Sequence, residues 1–144
     1  MREINFRGKR LDNGEWVIGN LFISQMSGCF ILLSKIDIKK HRDGGRTMGD
    51  KLEQYDVIPE TVGQYTGLKD KNGVEIFEGD ILLFKDDMHG HIIYNSALCA
   101  FLVVNEYKRG DSYKLGGFSS LWIEIVGIVH DNSDLLKEDK PDER

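Results

Sequence analysis

The sequence predicts a mainly β fold, and three observations carry that prediction. Glycine occurs 16 times in 144 residues, whereas proline occurs twice. The glycines are spread along the chain and split it into short apolar runs bounded by Asn, Asp and Gly, the pattern of strands and turns. No segment holds a helical period for more than about three turns. The expected architecture is a β meander over residues 1–60 and a small β-barrel over 61–136, which ends in a short helical turn. A solvated tail over 137–144 follows.

The elements follow in chain order. Ile4 to Arg7 reads as a first strand and Asp12-Asn13-Gly14 as a turn, because Asn and Gly accept positive φ at little cost. Glu15 to Ser24 reads as a second strand that turns Trp16, Ile18 and one of Leu21 or Ile23 to a core. Gly28 precedes the apolar run Cys29 to Leu33. Ser34 to Lys51 breaks the pattern. It holds Lys35, Lys39, Lys40, Arg42 and Arg46 around Gly44-Gly45, and is expected to be a mobile basic surface loop. Strand character resumes at Tyr55 and stops at Pro59, which has no amide to donate.

The second half has the same grammar. Asp70-Lys71-Asn72-Gly73 is a tight turn, and Gly79-Asp80 leads into the strand Ile81 to Phe84. The entry Phe77-Glu78-Gly79-Asp80-Ile81 is similar to the start of many SH3-like β-barrels. His89 to Tyr94 and Ala97 to Asn105 continue the strands, with Asn95-Ser96 between them. Phe118 to Trp122 and Ile123 to His130 are the last apolar runs. Gly127 inside the second marks a bulge or a close backbone approach. Asn132 to Leu136 reads as a capped helical turn.

Composition excludes several classes. At 40% hydrophobic residues the chain is too apolar for a disordered protein. It has no apolar run near the ~18–20 residues of a membrane-spanning helix, and its start does not read as an export signal. Cys29 and Cys99 both lie in apolar runs and are expected to be buried thiols. His89 and His91 face the same side of a strand, but no third ligand follows at a metal spacing, so neither metal nor cofactor is expected. Asp70, Glu75, Glu78 and Asp80 surround a turn, where Asp70 and Asp80 are expected to accept from backbone amides rather than transfer protons. No nucleophile, P-loop or zinc-protease motif is present, so no catalytic residue is assigned. The net charge of −5 argues against nucleic acid as a whole. The basic start (Arg2, Arg7, Lys9, Arg10) and the 35–46 loop keep it as an alternative, with Lys35, Lys39, Lys40, Arg42 and Arg46 as its contacts.

Three segments carry a resemblance that spans nearly the whole chain: MREINFRG at the start, Tyr65 to Gly73 with Glu78-Gly79-Asp80 in the middle, and Glu124 to Leu136 near the end. Together they resemble the YopX protein family of tailed bacteriophages and prophages. Ile125 stands where that family usually has valine, His130-Asp131 replaces Tyr-Glu, and Ser133 stands where proline is common. The resemblance implies a mainly β protein of a family of uncharacterised function, with no catalytic residues to carry over. The motif residues Gly67, Asp70, Asn72, Gly73, Gly79 and Asp80 are turn-forming types, and a structural turn motif is the reading assigned to them. The expected role is a phage or prophage accessory protein, non-catalytic, in the cytoplasm of a bacterial host. It is expected to act through protein–protein contacts with itself as a homo-oligomer, or with a phage or host protein, because small β domains hide strand edges by association.

Overall fold

The computed structural model describes residues 1–84, 87–105 and 111–136. The expected tail over 137–144 lies outside the described residues. The chain is mainly β and divides into two compact units, Asn5–Val62 and the segment Met1–Ile4 together with the chain from Gly63 onward.

The first unit is an antiparallel meander of β1 (Phe6–Lys9), β2 (Trp16–Ser24), β3 (Gly28–Lys40) and β4 (Arg46–Val57), in that order across the sheet. The first strand therefore starts two residues later than the sequence suggests, and Ile4 is exposed. The core face is set by register. Leu21 opposes Ile31, and Cys29 opposes Val57. Val17, Ile31 and Val57 are buried there, with Leu21, Cys29, Leu33 and Tyr55 packed around them. Of the residues expected to face the core from β2, Leu21 does so, beside Val17, whereas Ile18 and Ile23 are exposed. Trp16 misleads because its ring is used on the opposite face, where the Arg7 guanidinium lies 4.9 Å and the Lys9 ammonium 5.6 Å from its centroid. Beyond β4, Pro59–Thr61 forms a single 3₁₀ turn. Thr61 Oγ1 donates to the Ile58 carbonyl at 2.6 Å and accepts from the Lys9 amide at 2.9 Å.

The segment Ser34–Lys51 is the main departure from expectation. It is not a loop. β3 and β4 run through it as a hairpin paired continuously from Cys29↔Val57 to Lys40↔Arg46, and only 41–45 turns. Gly44 has a φ of +85°, the Gly45 amide donates to Asp43 Oδ1 at 2.9 Å, and the His41 amide donates to the Gly45 carbonyl at 2.8 Å. A complete ladder satisfies the backbone, so the polar composition of this stretch reflects solvent around a two-stranded arm.

The second unit contains the hairpin of β5 (Gly63–Lys69) and β6 (Glu75–Phe77). It also contains a five-stranded antiparallel sheet of β7 (Asp80–Phe84), β8 (Met88–Asn95), β9 (Ala100–Asn105), β10 (Ser112–Lys114) and β11 (Glu124–Ile128). The sheet order is β10-β9-β8-β7-β11, so the last strand returns to pair with the first. Among the described residues β10 and β11 are its two edges, and the sheet is not closed. Ile76, Leu82, Phe84, Ile92, Val103, Leu115 and Ile123 form the core. The apolar run Phe118–Trp122 follows a 3₁₀ turn at Leu115–Gly117 and ends in another at Ser120–Trp122, where Ser119 Oγ accepts from the Leu121 amide. Cys99 is exposed, contrary to its apolar neighbours. It sits in the turn before β9 at φ +50°, and its amide donates to the Ser96 carbonyl at 3.3 Å. Gly127 lies at a register shift between β11 and β7, where an added Cβ would stand 2.9 Å from Leu135 Cδ1. Asn132 Oδ1 accepts from the Ile128 amide at 3.1 Å and its carbonyl accepts from the Leu135 amide at 3.0 Å, so Asn132 ties the 3₁₀ turn Ser133–Leu136 to the strand before it. Among the described residues no helix is long and apolar enough to cross a membrane.

Candidate protein-contact surface

The carboxylates of the acidic turn serve the backbone. Asp70 is 4% exposed and Asp80 1% exposed. Asp70 Oδ1 accepts from the amides of Asn72 at 2.9 Å and Val74 at 3.0 Å, and Oδ2 accepts from the Ile125 amide at 3.1 Å. One carboxylate therefore shapes the β5–β6 turn and ties it to β11. Burial pushes its pKa up, but these three donors outweigh burial and, with the Lys71 charge, hold it below the ordinary value. Asp80 Oδ2 accepts from the Phe77 amide at 2.8 Å and so holds the turn between β6 and β7. Gly67, Gly73 and Gly79 have φ of +87°, +78° and +86°, the region that favours glycine. Asn72 is exposed at the tip of the turn.

The other candidates do not converge. His89 and His91 lie on β8 opposite Leu83 and Ile81, on the face away from the core residue Ile92. Among the described residues no group of three or more His, Cys, Asp and Glu is placed to hold a metal ion. An open groove of about 580 Å³ is lined mainly by apolar groups, including Leu68, Phe101 and Leu115, and Lys114 is the one ionisable side chain among its lining residues. The basic start is engaged locally. Arg10 forks onto Asp12 through bonds of 2.9 and 2.6 Å and stacks 4.4 Å from the Tyr55 ring centroid. Its bond holds the Asp12 carboxyl below the usual range.

The arm formed by β3 and β4 is where the structure concentrates unexplained surface. Successive residues of a strand alternate between faces, so register sorts the arm into two. One face carries Lys35, Asp37, Lys39, Thr47 and Lys51. The other carries Ile36 opposite Asp50, Ile38 opposite Met48, Ser34 opposite Leu52, and Lys40 opposite Arg46 at the tip. Ile36, Ile38, Met48 and Leu52 are 70%, 53%, 68% and 68% exposed. The same face continues onto the body of the sheet through exposed Ile18 and Phe22 and half-buried Phe30 and Leu32. Singly exposed apolar residues are ordinary, whereas this face exposes Ile36, Ile38, Met48 and Leu52 close together around Asp50, which makes it the candidate contact surface. Sequence reasoning missed it, although Lys35-Ile36-Asp37-Ile38-Lys39 alternates strictly.

The five basic residues proposed as nucleic-acid contacts are divided by the same register. Lys35 and Lys39 take the polar face, Lys40 and Arg46 the apolar face, and Arg42 the turn. Lys35 pairs with Glu53 at 3.0 Å, and Glu53 also accepts from the Tyr55 hydroxyl. The Tyr55 bond first, and Lys35 second, keep the Glu53 carboxyl below its ordinary pKa.

Among curated proteins none matches the chain. The crystal structure of protein EF1440 from Enterococcus faecalis is similar, with a TM-score of 0.58 and 24% identity over 94% of this chain and 99% of that one. At that identity the likeness speaks for the fold, a mainly β one. The model of the YopX protein family matches residues 5–137, nearly the whole chain, and on that match the chain belongs to the YopX protein family.

Proposed function

We propose that the protein is a non-catalytic accessory protein of the phage or prophage type that acts through protein–protein contacts made by the β3–β4 arm. The observation that carries this reading is the exposed apolar stripe of Ile36, Ile38, Met48 and Leu52 on one face of a fully hydrogen-bonded ribbon. Exposing four large apolar side chains forgoes about 1.5–3 kcal/mol for each one that a partner would fully bury. Two free thiols, Cys29 and Cys99, fit a reducing cytoplasm. The nucleic-acid reading has weaker support, because a phosphate backbone needs charge gathered on one face and here the five cations are split.

The test removes the arm and leaves the body. Lys35 and Lys51 are direct register partners, so joining them through Asn-Gly gives a short hairpin. The buried cluster of Val17, Ile31 and Val57 lies below the cut. The shortened protein should keep its urea unfolding free energy to within about 1 kcal/mol. Size-exclusion of cross-linked host extract should then show the complexes of the full chain lost. Complexes unchanged by the shortening would refute the reading.

A further inference from the structure

Resting on the contact reading above, we propose that the arm's partner is a second copy of this chain, the two apolar faces stacking antiparallel about a two-fold axis. Charge decides the orientation. Lys40 and Arg46 lie side by side at the outer end of the face, exposed Asp50 lies near its middle beside Lys51, and exposed Asp56 lies at its root opposite Phe30. Arg46 and Asp56 are equally far along β4 from Lys51. An axis at the level of Lys51 therefore brings each copy's Arg46 over the other's Asp56, twice per dimer. A parallel stack would set base on base and acid on acid. The same antiparallel stack lays Ile38 and Met48 of one arm over Leu32 and Gln54 at the root of the other copy's hairpin. An isologous contact covers both regions at once, because residue i meets j while j meets i.

Area sets the strength. β3 has 13 residues, or roughly 40 Å of strand, and two strands are about 10 Å wide. With the adjoining part of β2 the footprint is roughly 500 Å² per copy, ~1,000 Å² in all, at the lower limit for a specific interface. The dimer is therefore a weak, reversible one, with a dissociation constant on the order of micromolar. Hydrogen bonding along the β4 edge is not required. The end of that edge is already occupied, because the Leu11 amide donates to the Asp56 carbonyl at 2.9 Å and Arg10 bridges Val57.

Sedimentation equilibrium of the purified full chain, from about 1 to 200 µM, tests the proposal by charge reversal. Wild type should dimerise. Arg46→Asp and Asp56→Arg should each weaken the dimer about tenfold, and the double variant should recover most of that loss. Both positions are exposed, so circular dichroism should show all variants folded. A wild-type monomer throughout the range would overturn the second-copy assignment. It would leave the contact reading to stand or fall on the arm-shortened protein in host extract. A dimer indifferent to both reversals, or a double variant no tighter than the singles, would overturn the antiparallel stack.

Discussion

Replacing Asp70 by alanine should cost the Gly63–Leu136 region about 3–4 kcal/mol, measured by urea unfolding at pH 7. Three amides lose a charged acceptor at once, and such bonds contribute about 1.5–3 kcal/mol each when buried. The exposed tip at Asn72 lets water recover part of the loss, which keeps the total below the sum. Asp70→Asn should cost less, about 1–2 kcal/mol, because its amide oxygen still serves the turn while its NH₂ group faces the Ile125 amide. The pH dependence has a definite sign. A folded pKa below the unfolded value of about 3.9 means that the charged form stabilises the fold. That contribution is fully present above pH ~4 and is lost as pH falls through the folded value. The gap between wild type and Asp70→Asn should therefore shrink below pH ~4. A gap that widened there, or an alanine variant within 1 kcal/mol of wild type, would contradict the assignment.

Gly90→Ala should cost about 3 kcal/mol or prevent folding of the sheet. The added Cβ would lie 2.6 Å from the Val104 carbonyl oxygen, 2.8 Å from Val103 Cγ1 and 2.9 Å from Phe84 Cε1. One of these is backbone and the others belong to buried core residues, so none yields cheaply. Thermal unfolding of Gly90→Ala beside Gly49→Ala, on the open arm where nothing stands within 4 Å, would separate close packing from general glycine loss. Equal shifts for the two would refute the packing argument. The same geometry explains His89-Gly90-His91 without a metal. The glycine is required on the core face, and the two histidines fall on the other by alternation.

Turn chemistry was the legible part of the sequence. Asp12-Asn13-Gly14 and Asp70 to Gly73 form turns where the residue types place them, and Gly79-Asp80 leads into β7 as expected, because positive φ and side-chain acceptors are local properties. β7, β8, β9 and β11 were legible for the same reason, since turns bound them, whereas β5 and β10 were not read as strands. What was hidden depended on long-range partners. Trp16 reads as core by size, and only the cations opposite it on β1 explain why it lies outside. Cys99 shares its neighbours' apolar setting but takes a turn conformation. The arm was hidden most completely. Its alternation is regular, but its charge and its Gly44-Gly45 suggest a loop to any reading that expects a strand to bury one face. The family motif around Asp70 thus accounts for the fold, and the candidate contact surface lies outside it.

Methionine oxidation offers the most direct measurement of the central claim that the arm's apolar face is a contact surface. Met48 lies within the stripe, and Met26, 97% exposed, lies in the β2–β3 turn and is not one of the stripe's residues. Peroxide footprinting of the purified chain at high and low concentration, and in host extract, compares the two in one molecule. If the face is covered, Met48 should oxidise markedly more slowly than Met26 in the concentrated protein or in extract, and the protection should vanish on dilution. Met48 oxidising in step with Met26 under all three conditions would contradict the claim.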